Sequence, residues 1–119
     1  MKAATIVTTV GSLQTSNIRY ANQSSGVSLT GPFEITSLVG TIDFQKPNSD
    51  PTQGYGHIHI AISDSKGFTI GGHALSTGNI VYTTAEVSLL ELSQGLFERL
   101  PDDGPNGSGY NELKVYQTN

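Results

Sequence analysis

The chain has no cysteine and no tryptophan, a single methionine, and charged side chains at only 13% of its 119 positions. Each scarcity closes off a class of answers. Without cysteine there is neither a disulfide framework nor a thiolate metal site, so histidine and carboxylate are the strong metal ligands left. The cationic side chains Lys2, Arg19, Lys46, Lys66, Arg99 and Lys114 stand singly and the net charge is -4. No basic stripe exists to follow a phosphate backbone, so DNA is not an expected partner of the isolated chain. No apolar run approaches the roughly 18 residues of a membrane span, and Met1-Lys2 leads into alternating residues rather than a signal-peptide core. The expected setting is cytoplasmic, with no membrane partner. The length suits one domain, residues 1–119, near the commonest domain size.

What is present is strand after strand. "ATIVTTV" (4–10) is a β-branched run that Gly11-Ser12 is expected to end, and residues 17–21 read as a second strand. Residues 22–28 are polar and contain Gly26, hence a loop. Residues 33–44 alternate and then run apolar as a long strand, in which Gly40 should mark a bulge or a close backbone approach. The turn formers of 46–54 make an exposed loop. Residues 80–92 open with Ile80-Val81-Tyr82-Thr83-Thr84, which favours strand over helix. Residues 101–109 are loop and 111–117 a closing strand. The expectation is a mainly β fold with an antiparallel sheet of about six to seven strands and little helix.

Every histidine lies within "GHIHIAISDSKGFTIGGH" (56–73). Alternate residues of a strand share a face, which puts His57 and His59 on one side. The position of His73 depends on the turn. If Asp64-Ser65-Lys66-Gly67 forms a type I turn with Gly67 left-handed as a G1 bulge, paired residue numbers sum to about 132, from the turn geometry. His59 then faces His73, with His57 diagonal to it. A two-residue loop on Ser65-Lys66 would shift the register by one and turn His73 to the other face. In the first register three imidazoles converge, enough for a divalent ion, Zn²⁺ above all, with coordination positions open to a small molecule or anion. Gly71 and Gly72 beside His73 leave room around that site, and Glu86 and Asp64 are candidate fourth ligands or partners that orient a ring. The competing reading makes His57, His59 and His73 hydrogen-bonded structural groups that bind nothing.

The fragments "PFEITSLVGTI", "GHIHIAISDSKGFTIGGHAL", "IVYTTAEV" and "YNELKVY", with "GSL" and "IRYA" near the start, occur in the order and spacing of one family. Over Ala3 to Tyr116 the chain resembles the plant-and-prokaryote conserved (PPC) domain. The resemblance implies an α+β fold on a mainly antiparallel sheet, a homotrimer, and histidines lining a cleft near subunit contacts, with a metal there in some prokaryotic members. Family members usually place a strand and a helix ahead of the segment matching Ala3. A chain starting at Met1 is expected to leave apolar sheet surface uncovered. At "GPFEIT" (31–36), Pro32 and Thr36 replace the arginine and leucine of the plant contact motif, so plant-type partner binding is not implied. The family's DNA-binding label rests on an AT-hook in the plant proteins, and no Arg-Gly-Arg-Pro hook occurs in this chain.

Three functions stand against one another. The first is an oligomeric binding module with a histidine metal or small-ligand site. The second is a metal-dependent enzyme using metal-bound water with Glu86 as general base. It draws on the histidines alone, since no nucleophile elbow, Walker loop or dinucleotide fingerprint occurs. The third is a DNA-binding regulator, which the charge and the missing hook oppose.

Overall fold

A computed structural model describes residues 1–45 and 55–118. The loop expected over 46–54 lies outside the described residues. Among those described there are seven strands and no helix: β1 (Ala3–Arg19), β2 (Val27–Asp43), β3 (Gly56–Ser63), β4 (Thr69–Ala74), β5 (Ile80–Glu91), β6 (Gly95–Pro101) and β7 (Asn111–Gln117). The mainly β, antiparallel architecture matches the expectation, whereas the allocation of strands differs. Gly11-Ser12 does not end a strand. β1 runs straight through it for 17 residues, because pairing with both neighbours continues beyond the glycine, Leu13 facing Phe33 of β2 and Val81 of β5. A Cβ at Gly11 would collide with the Thr84 carbonyl of β5, so the glycine marks a close approach where the β1–β5 register shifts. Gly40 likewise lets β2 approach the His57 carbonyl, while the β2–β3 bulge falls earlier, between Ile35 and Ser37. β6 was not expected from the sequence at all.

The large sheet has the order β2-β3-β4-β1-β5, with a further β1–β2 pairing. β2 takes one edge of β1, and β3 and β4 follow it round until Ala74 and His73 pair with Ile18 and Arg19. The sheet therefore closes on itself at the C-terminal end of β1. Inside that closure sit Leu13, Ile18, Ile60 and Ile62, with Tyr20, Leu29, Phe33, Ile35, Leu38 and Ala74 packed around them. Ile18 and Ile62 are fully buried, each contributing about 2 kcal/mol in transfer terms. Away from the closure β5 pairs with β1 alone. β6 and β7 form a separate two-stranded ribbon. No helix of the described residues is long and apolar enough to cross a membrane.

Candidate metal centre

Inward-facing Ile58, Ile60 and Ile62 of β3 leave His57, His59 and Ala61 on the outer face, by strand alternation. The turn that follows is the one with Gly67 left-handed (φ 83°). Its backbone is closed by Gly67 N–H donating to the Asp64 carbonyl at 3.0 Å and Asp64 N–H to the Phe68 carbonyl at 3.0 Å. The Asp64 carboxylate accepts from the N–H groups of Lys66 (2.9 Å) and Phe68 (3.0 Å). Asp64 is thus occupied in fixing the turn and does not reach the histidines. The resulting register pairs Ser63 with Thr69 and His59 with His73. It is the register in which the three imidazoles share a face.

Ring centroids lie 5.0 Å apart for His57 and His59, 5.0 Å for His57 and His73, and 5.8 Å for His59 and His73. One ring nitrogen from each lies within 4.8 Å of the others. Ligand nitrogens about 2.0–2.1 Å from one ion sit closer together than that, so the rings must draw together to hold one. His73 is buried (6% exposed), His57 half-buried and His59 exposed, so the set opens to solvent on one side.

Cross-strand pairing extends the outer face into a row. Val39 of β2 faces His59, which faces His73, which faces Arg19 of β1. Thr41 faces His57 one step along. Gly72 lines the recess with the three histidines, Arg19, Tyr20, Ala21 and Asn22. Its own role is chiefly in closure: a Cβ there would stand 2.6 Å from the Arg19 carbonyl oxygen and 2.8 Å from Ile18 Cγ2. Gly71 is opposite Ala61, and a side chain there would meet the Ile60 carbonyl at 2.6 Å. Glu86 is not brought to the site. It lies exposed on β5 opposite Val10, while the histidines meet β1 at Arg19. Nine residues of strand separate the two points, on the order of 30 Å along the chain.

Arg99, on β6, escaped the sequence reading altogether. Its guanidinium donates to Thr41 Oγ1 at 2.9 Å, and it lines a recess with Val39, Gly40, Thr41, His57, His59 and Leu113. Desolvation by burial lowers its pKa, opposed by the nearby Glu112 carboxylate. A signal for β6 was available: a turn-rich loop at 101–109 followed by a closing strand implies an antiparallel partner just before the loop.

Residues 1–93 match the family described as the Plants and Prokaryotes Conserved (PCC) domain. The chain belongs to this family. Two Synechococcus proteins named Bifunctional protein GlmU are 34% and 33% identical to it over 115 residues. The alignment takes in 97% of this chain, which spans only 16% of the length of those relatives. Among solved structures, a hypothetical protein of Salmonella cholerae-suis (Salmonella enterica) superposes with a TM-score of 0.83 at 38% identity, over 98% of this chain and 75% of that one. A metal-containing protein from Archaeoglobus fulgidus superposes with a TM-score of 0.69 at 26% identity, over 96% of this chain and 75% of that one. The PCC match ends at residue 93, so Arg99 and the β6–β7 ribbon lie beyond it.

Proposed function

We propose that this PCC-domain chain is the subunit of a homotrimeric binding module that holds Zn²⁺ through His57, His59 and His73. The observation that carries the reading is the convergence of three imidazole nitrogens within 4.8 Å on the face of one hairpin. The donor set fits the ion: three neutral nitrogens suit Zn²⁺ and leave coordination capacity for a small molecule. The metal-containing Archaeoglobus relative supports the same reading. The zinc would supply a fixed positive charge and a Lewis-acidic anchor at the mouth of the recess. Catalysis is the weaker alternative, because Glu86, its proposed base, lies on β5 opposite Val10, nine residues along β1 from the Arg19 that pairs with His73.

Assembly is supported by surface. The chain exposes 7482 Å², against about 6,200 Å² for a compact monomer of this mass. Its radius of gyration is 15.2 Å, against about 13.5 Å. Every residue of β5 is exposed, including Ile80, Val81, Tyr82, Val87, Leu89 and Leu90, and Val7 and Val10 of β1 are exposed beside it. An open strand with apolar side chains exposed on both faces seeks a partner, and a closed ring of like subunits satisfies it.

The test is metal content, melting temperature and light scattering on untagged wild type and His59→Ala. One zinc per chain is expected in the wild type, none in the variant, and the same trimer in both. Zinc uptake should also decline in acid, because a protonated ring no longer acts as a ligand. A wild type without stoichiometric metal, together with a His59→Ala variant that melts lower and loosens, would assign the histidines a structural role instead. A monomer of 12.6 kDa would remove the trimer.

A further inference from the structure

A cavity of about 790 Å³ opens beside the histidines, bounded by the 20–26 loop, the end of β4 and the β6–β7 ribbon. His57 forms one wall, Arg19 and Arg99 stand over it, and Ser24 and Ser25 line the loop side. Leu75, Leu113 and Tyr110 supply the apolar remainder. We infer that this cavity binds a small organic acid whose carboxylate or phosphate head is held between Arg19 and Arg99, with its other end at the histidine centre. The proposal rests on the zinc reading for that second end.

Charge is the first argument. The chain is acidic overall, with ten carboxylates against six cationic side chains, yet two of those six converge here and meet one lining carboxylate, Glu112. Glu112 Oε1 already accepts a 2.6 Å hydrogen bond from Ser108 Oγ. Arg19 is the cross-strand neighbour of His73, and Arg99 is tied to Thr41, the neighbour of His57. A divalent ion on the histidines would therefore sit between two guanidinium groups. Like charges gathered at one site repel, and an oxyanion shared among them reverses the sign of the interaction. Guanidinium forks match the paired oxygens of carboxylate and phosphate, which fixes the orientation of the head as well as its charge.

Size and lining are the second argument. The volume falls within the range of small-molecule sites, roughly 300–1,000 Å³. Hydroxyls at Ser24 and Ser25 can donate to an anionic head, whereas the leucines and Tyr110 suit an apolar body. Glutarate and phenyl phosphate, which share the oxyanion and differ in its kind, are suitable probes, with dimethyl glutarate as the neutral control.

Titration calorimetry of each probe into zinc-loaded and metal-free protein tests the idea, using wild type, Arg99→Ala, Arg99→Lys and Arg19→Ala, with zinc content and melting temperature measured on the same samples. The expected result is stoichiometric binding of at least one anion and none of the ester. Arg99→Ala and Arg19→Ala should weaken it tenfold or more at unchanged zinc content, and Arg99→Lys should restore part of the loss. The tighter of the two probes identifies the head group. No anion binding to zinc-loaded wild type, or binding indifferent to both arginines, overturns the proposal. Arginine-dependent binding to a protein that takes up no zinc would overturn the zinc reading and leave the anion site standing.

Discussion

β4 and β5 are neighbours of the same strand, β1, and live in opposite environments. β4 is six residues long, pairs with β3 on one edge and β1 on the other, and carries the buried His73. β5 is twice that length, pairs only with β1, and has all twelve residues exposed. Composition does not explain the contrast, since β5 is the more apolar of the two. Closure does. Where the sheet curls shut, the chain buries its own surface and holds polar groups at defined positions. Where it stays open, apolar residues are left for another surface. The candidate site thus lies at the closure, and the surface left for assembly runs along β5, which flanks β1 from Ala4 to Thr15.

If that division holds, the largest effect comes from placing charge on β5. Leu90→Asp, at a position 59% exposed and opposite Thr5, should convert trimer to monomer or aggregate, with zinc content per folded chain unchanged. A solvated strand would instead tolerate the change within about 0.5 kcal/mol, so light scattering decides whether β5 is an interface. Next in size is Gly72→Val at the closure. Its Cβ would lie 2.6 Å from the Arg19 carbonyl oxygen, forcing β4 away from β1 at a cost of about 1–3 kcal/mol. Zinc affinity should fall with it as His73 moves, which thermal melts and metal titration would register together. The smallest effect is expected at the turn. Gly67 has φ 83° and open space around a would-be Cβ, so Gly67→Ala should cost only the left-handed backbone strain, about 1–2 kcal/mol. The melting temperature should drop by several degrees with zinc binding retained. Loss of zinc in that variant would mean the G1 bulge holds the histidine register more tightly than the strand pairing does.

Much of the histidine hairpin was legible because its determinants are local. Strand alternation puts His57 and His59 together, and one glycine, Gly67, permits the turn that sets the pairing. The closing strand at Asn111–Gln117 was legible for the same reason. Gly11-Ser12 misled because a glycine within a β-branched run reads the same whether it ends the strand or admits a neighbouring backbone. Only the presence of Thr84 across the sheet tells the two apart. Glu86 was attractive as a carboxylate on a strand, but its distance from the histidines depends on which stretch of β1 each strand chooses.

The sequence by itself determined the alternation that puts His57 and His59 on one face and narrowed the turn to two registers, since both follow from backbone geometry over fewer than twenty residues; the structure chose the register with Gly67 left-handed, in which His73 joins them. Only the tertiary structure decided what surrounds them. Arg19 comes from a strand closing on β4 more than fifty residues later in the chain, and Arg99 from a ribbon folded back onto β2. Such contacts depend on how a whole sheet curls and on which buried leucines and isoleucines drive it shut. No local pattern of residues carries that information.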